Sequence, residues 1–264
     1  MDSINLIKAR ERIIEPVPAE FREIFVRLVK PLAPFEAVGV PKKRFGGPLD
    51  GGYVMLDDFE GIAGVYSMGI GREISWDLAM AQLRLPVFQF DHSIDKLPYF
   101  HPLFHFEKKR IGARANAADG TESIDSIVRR HGHENKDLIL KIDVELAEWD
   151  ILAKIDPEVL RNFRQIAIEI HGFTMLLPDK GWIERATRAI GNLTRFHKVV
   201  HVHANTTSRL FCSDNLVIPD MLEFTLARED AYSLRESYEF FPGPLDRPND
   251  PLCRDISLGT FRYE

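Results

Sequence analysis

Cysteine is nearly absent from this chain of 264 residues, which contains only Cys212 and Cys253. That excludes a disulfide scaffold and makes reduced thiols in a cytoplasmic protein the expectation. Long apolar runs are missing too. No segment approaches the length of a membrane span, and the opening "MDSINLIKARERIIEP" has no hydrophobic region of the kind that directs secretion. Without such a region, the acceptor-like "NLT" at Asn192 says nothing about glycosylation. Positive charge is not in excess. Lys and Arg number 34 against 40 Asp and Glu, a net charge of -6, which argues against nucleic acid held on a basic face. Internal repeats and low-complexity tracts are also lacking.

What is present has globular proportions. Hydrophobic residues make up 45% and charged residues 28%, and the length suffices for one large α/β domain. Residues 19–31, "AEFREIFVRLVKP", place Phe21, Ile24, Phe25, Leu28 and Val29 at helical spacing and stop at Pro31. Residues 1–45 therefore read as an N-terminal helical extension. A glycine-rich loop, "KKRFGGPLDGG", then leads into a short strand at "YVML". Apolar runs follow at 64–70, 86–91, 138–143, 165–170 and 198–203. Helical periodicity separates most of them, in "SWDLAMAQLR", "ESIDSIVRRHG", "AEWDILAKIDPEVLRNF" and "GWIERATRAIGNLTRF". Strand alternating with helix predicts a mainly parallel sheet covered on both faces. The run "MLEFTLARE" (221–229) has no helix before it and reads as an antiparallel strand at the sheet edge. From Tyr238 the tail is too rich in proline for regular structure, and residues 231–264 are expected to pack on the domain formed by 46–230.

Ligands of an open parallel sheet bind beyond the carboxyl ends of its strands, so the residues at those ends carry the functional signal. In "YSMGIGREIS" a strand runs into Gly69 and Gly71 and then a helix; Ser67, Met68 and both glycines are candidate cofactor contacts. A tight turn is the plain alternative. In "VFQFDHS", Asp91 follows the glycines by about 20 residues, the spacing at which an acid bonds the ribose of an adenosine cofactor. The alternative for Asp91 is a turn cap; His92 stands beside it. There is no third, correctly spaced glycine, so a pyrophosphate fits poorly. S-adenosylmethionine, an adenosine without a pyrophosphate, fits better.

"LILKIDVELAEWDIL" turns acidic as it leaves its strand. Asp143 ends the strand, and its alternative is an N-cap. Glu145 and Glu148 belong to the first turns of a helix, where acids suit the dipole, and Asp150 reads as a solvated helix-face residue. With "QIAIEIH" and "KVVHVH", the strand ends bring Asp143, Glu169, His171 and His203 toward one rim. Asp143, Glu169 and His171 are candidate ligands for Mg²⁺ or Mn²⁺. Without a metal, His171 or His203 is the candidate general base, with Asp143 facing the reacting group. "DGGYVML" reads either as a hairpin turn or, through Gly51, Gly52 and Tyr53, as a wall of the cofactor pocket. His101, His105, His131, His133 and His197 read as loop or helix-surface residues.

"KIDVELAEWDIL" followed by "IAIEIHG" resembles the FkbM-type methyltransferases, as does "ESIDSIV" upstream. "DGGYVMLDD", "YSMGIG" and "LDRPNDP" look like a sub-group of related methyltransferase-like proteins. The resemblance spans roughly residues 44–255, with one departure: Leu146 stands where the family has glycine. It implies a Rossmann-like class I methyltransferase fold, S-adenosylmethionine as cofactor, and a small-molecule, sugar or natural-product hydroxyl as acceptor. Two alternatives remain: a metal-dependent hydrolase on a (β/α)₈ barrel, whose strand ends look similar, and a cofactor-binding module without turnover.

Overall fold

The computed structural model describes residues 13–176 and 179–263. The opening segment, and with it the start of the 1–45 extension, lies mostly outside the described residues. Numbering only the strands of the central sheet, these are β1 (Gly64–Met68), β2 (Val87–Phe90), β3 (Phe104–Glu107), β4 (Leu138–Ile142), β5 (Phe163–His171), β6 (His197–Ala204) and β7 (Met221–Arg228). Their order is β3-β2-β1-β4-β5-β7-β6. All neighbours run parallel except β7, which is antiparallel to both β5 and β6. This is a mixed α/β architecture with a mostly parallel seven-stranded sheet, compatible with a Rossmann-like methyltransferase fold.

Three expectations need correction. The antiparallel strand is not at the edge: β7 is inserted between β5 and β6, and β6 is the edge strand. Residues 222–227 of β7 are buried without alternation, as an interior strand requires. Strand β3, "FHFE", was not foreseen. It is short and sits between Pro102 and a basic run, so its alternation is too brief to register. The sheet is open, with β3 and β6 at its two edges, which removes the closed barrel of the hydrolase alternative.

The helices are α1 (Ala19–Val29), α2 (Ser75–Gln82), α3 (Ile124–Arg130), α4 (Glu148–Lys154), α5 (Pro157–Leu160) and α6 (Lys180–Leu193). Helix α6 buries Ala186, Ala189, Ile190 and Leu193, one stripe at helical spacing. Helix α1 buries Phe21, Phe25, Leu28 and Val29 in the same core as the sheet residues Tyr66, Leu140 and Ile168. Ser123 caps α3 by accepting from the Ser126 amide. The stretch expected as one helix over 147–163 divides into α4 and α5. Pro157 forces the preceding Asp156 out of helical geometry, and the Asp156 carboxylate then caps α5 through the Glu158 amide at 3.0 Å.

In β4 every residue is buried, and each of its large aliphatic side chains contributes about 1.5–3 kcal/mol of burial. Lys141, the polar exception, donates from Nζ to the Gly69 carbonyl at 2.8 Å. Strand Lys42–Phe45 pairs antiparallel with Tyr53–Leu56, so the glycine-rich loop is the link of a hairpin. Among the described residues no helix is long and apolar enough to cross a membrane.

Candidate functional site

The strand order reverses between β1 and β4, the place where open sheets of this kind hold ligands. A pocket of about 430 Å³ opens there, walled by Gly69 after β1, Phe90, Asp91 and His92 at the end of β2, and Asp143 after β4. Two larger clefts, about 630 and 510 Å³, lie elsewhere and touch none of these strand ends.

Gly69 has φ +79, and a Cβ there would lie 1.7 Å from the Asp143 carbonyl oxygen. The Asp143 amide in turn donates to Met68 O at 2.9 Å. The two strand ends are therefore packed backbone to backbone, a contact only glycine permits. Asp91 holds the rest of the turn. Its Oδ2 accepts from the Ile70 and Gly71 amides, each at 2.8 Å, and its Oδ1 from the Ser93 amide and hydroxyl at 2.6 and 2.7 Å. Burial would raise the Asp91 pKa, but these hydrogen bonds outweigh it and hold the carboxyl below its usual range.

The other expected cofactor residues stand apart from the pocket. Ser67 and Met68 are buried within β1. The space beside Gly51 is filled by Glu73, and that beside Gly52 by Gly47 O and Arg44. Tyr53 is buried, and burial, then the charges of Asp143, Glu169, Glu223 and Asp50, push its pKa well up. Lys109, Arg110 and Ile111 complete the pocket wall and were missed. The run "EKKRI" follows β3, so the strand had to be recognised before that segment could be placed at a strand end.

The chain leaves Asp143 through Glu145 (φ 52) and Leu146 (φ 75), two successive left-handed residues. The backbone thus adopts the turn that suits glycine although Leu146 occupies it, at a cost of about 1–2 kcal/mol per residue. Glu145 is exposed and precedes the helix. Glu148, expected as a dipole-facing acid, is fully buried. Its Oε1 accepts from the His171 amide at 2.8 Å and pairs with His171 Nδ1 at 2.7 Å. Trp149 Nε1 donates to the His171 carbonyl at 2.6 Å, so α4 grips the end of β5. Asp150 pairs with Arg185 of α6 at 3.2 Å.

His171 Nε2 lies 3.4 Å from Glu169 and 3.5 Å from Glu145. Burial would lower its pKa; the Glu148 hydrogen bond and the charges of Glu169, Glu148 and Asp143 outweigh burial and push it up to about 9. The ring therefore carries both protons at neutral pH and is a donor, not a base. His203 is enclosed, with Nδ1 3.0 Å from Glu223 and Nε2 3.2 Å from Asp255 of the tail. Burial opposes protonation there too, but the two acids push its pKa up to about 10. Neither ring nitrogen of His203 is left to serve a substrate.

Burial pushes the Asp143 carboxyl above its usual range, against Lys141 and His171. Burial, then Glu223 and Asp143, push Glu169 well above its own. The expected metal set of Asp143, Glu169 and His171 divides between two groups: Asp143 and His171 join Glu145, while Glu169 joins Asp50 and Glu223.

The histidines read as surface residues include three that are not. The Tyr66 hydroxyl lies 3.0 Å from His131 Nδ1 and 2.9 Å from His133 Nδ1, on the half-buried flank of β1. His197 is fully buried with Nε2 2.7 Å from Phe163 O, and burial pushes its pKa down to about 4. His105 lies on β3, exposed, and His101 Nδ1 accepts from the Leu103 amide at 3.2 Å.

No protein-family model matches this sequence, and neither does any curated protein. Among solved structures the chain is similar to the methyltransferase CalO6, at 14% identity and a TM-score of 0.25, over 64% of this chain. It spans 58% of that structure's length. A superposition this loose carries no argument, and the FkbM resemblance rests on its motifs alone.

Proposed function

We propose that the protein is an S-adenosylmethionine-dependent methyltransferase of the class I fold that methylates a hydroxyl of a small molecule. One observation carries the reading: Gly69, Asp91 and Asp143, from three neighbouring parallel strands, line a single pocket where the strand order reverses. A seven-stranded sheet whose last hairpin includes an antiparallel strand is also what the FkbM resemblance implies.

The residues present fit the cofactor. A pocket of about 430 Å³ falls within the roughly 300–1,000 Å³ that takes small ligands. Phe90, Ile111, Val144 and Ala147 offer apolar surface to a base. Asp143 sets a carboxylate beside a cationic ligand. Asp91 Oδ2 is committed to two backbone amides, so Oδ1, bonded to exposed Ser93, is the oxygen free to exchange for ribose hydroxyls.

Bound there, the cofactor supplies a methyl group activated by its sulfonium. The chain's part is placement. Lys141 fixes the Gly69 carbonyl, and the packed Gly69–Asp143 contact sets the distance between the two strand ends. Glu148 locks His171 through Nδ1 and leaves Nε2 toward the rim, where it orients the acceptor. Holding nucleophile and methyl carbon in line is the main contribution such a site makes. The cation expected on Asp143, Glu169 and His171 is not part of this reading, because those side chains divide between two groups.

Thermal unfolding with added ligand tests the proposal. S-adenosylhomocysteine at about 100 times its Kd should stabilise by about 2.7 kcal/mol and raise the midpoint, while NAD should not. No shift at saturation, or a shift with NAD instead, refutes it.

A further inference from the structure

We infer that Leu146 and Met175 form the acceptor side of the site and select a hydroxyl carried on an aromatic or alkyl group over one carried on a sugar. The inference rests on the methyltransferase reading and narrows its acceptor. Val144, Glu145 and Ala147 wall the cofactor pocket, but Leu146, which lies among them in sequence, does not. Its side chain lies over Gly172 instead. A Cβ on Gly172 would be 2.6 Å from Leu146 Cδ2 and 3.0 Å from Met175 Sδ, so both side chains rest on that glycine. Gly172 directly follows His171, whose Nε2 faces Glu145 and Glu169 at the rim. The apolar pair therefore flanks the ring that orients the acceptor, across the turn from the cofactor pocket.

Both side chains are open, Leu146 at 41% exposure and Met175 at 46%. A lone exposed leucine needs no explanation. Leu146, however, holds a left-handed backbone, φ 75, directly after Glu145 at φ 52. Glycine suits that conformation, and strained residues of other types cluster at ligand sites. The fold gains little from a side chain that strains its own backbone and stays in water. A ligand lying on it gains apolar contact. Met175 beside it is unbranched and polarisable, and adapts to an aromatic ring.

Polarity narrows the occupant further. His171 is already paired with buried Glu148, and the exposed Glu145 carboxylate 3.5 Å from Nε2 disfavours an anionic acceptor. A sugar, hydroxylated all round, gains little by covering two apolar side chains. A neutral phenol or apolar alcohol meets both conditions, with its hydroxyl toward His171 and its apolar body on Leu146 and Met175.

2-Naphthol, a fluorescent phenol, is titrated into the full chain with and without saturating S-adenosylhomocysteine. It should bind with a Kd below about 1 mM, and methyl glucoside should not displace it. Leu146→Gly and Met175→Ala should each weaken binding about fivefold or more. Leu146→Gly should also leave the thermal midpoint unchanged or higher, because glycine relieves the left-handed strain. Phe100→Ser, on an exposed aromatic just before the amino end of β3, should leave binding unchanged. Naphthol that fails to bind beside bound S-adenosylhomocysteine overturns the proposal. So does binding that methyl glucoside displaces or that Leu146→Gly leaves intact, and so does a lower midpoint in Leu146→Gly, which would make the leucine part of the fold. Leu146-dependent binding with no effect of S-adenosylhomocysteine on the midpoint would uphold the apolar site and defeat the methyltransferase reading instead.

Discussion

Replacing Asp91 with asparagine tests the turn that shapes the pocket. The carboxylate accepts from the Ile70 and Gly71 amides on one oxygen and from the Ser93 amide and hydroxyl on the other. A carboxamide keeps one oxygen and turns an NH₂ toward the remaining donors. Ile70 is buried and Ser93 exposed, so the oxygen stays with the two backbone amides and Ser93 turns to water. Two hydrogen bonds lose their acceptor and two lose their charge, a net cost of about 2–3 kcal/mol. At about 2–4 °C per kcal/mol for a chain of this size, the midpoint should fall by roughly 4–12 °C. Thermal and urea unfolding at neutral pH measure this directly. The pH dependence supplies a second check. The folded pKa of Asp91 lies below its unfolded value, so its stabilisation is fully present above about pH 4 and is lost as pH falls through the folded pKa. The advantage of wild type over Asp91→Asn should be level from neutral pH to about 4 and close below it. An unchanged midpoint at neutral pH, or an advantage that grows on acidification, refutes the role given to Asp91.

Two further substitutions separate backbone geometry from charge. Gly69→Ala should cost at least about 3 kcal/mol, left-handed strain plus overlap with the Asp143 carbonyl, whereas Gly71→Ala, with open space beside it, should cost only about 1–2. Equal urea midpoints for the two would contradict the packed contact. His197→Gln should flatten the loss of stability on acidification. The His197 pKa is lowered to about 4 in the fold, so its unfolded form gains a proton between about pH 6.5 and 4, a contribution of about 3 kcal/mol. A wild-type slope unchanged by the substitution over that window would refute the burial argument.

The alternation of apolar runs made most of the sheet legible, because a strand buried on both faces must be apolar throughout, as Leu138–Ile142 is. Strand β3 escaped because four residues with two aromatics do not distinguish a strand from a loop. The place of β7 escaped because strand order depends on tertiary pairing, not on local pattern. That Gly69, Asp91 and Asp143 line one pocket could be expected, because the carboxyl ends of parallel strands converge by geometry. Glu148 could not, since an acid in a helix's first turn has a sufficient local explanation there. Only the fold shows it turned inward onto His171. The enclosure of His203 was illegible for the converse reason: its partner Asp255 comes from the proline-rich segment beyond Tyr238, and nothing in the spacing links the two.

Titration calorimetry of S-adenosylmethionine into the purified chain tests the central claim most directly. The account predicts one cofactor per chain, with Asp143→Ala weakening it by about 1.5–3 kcal/mol while leaving the chain folded. No heat of binding at any accessible concentration, or an affinity that Asp143→Ala leaves unchanged, would contradict it.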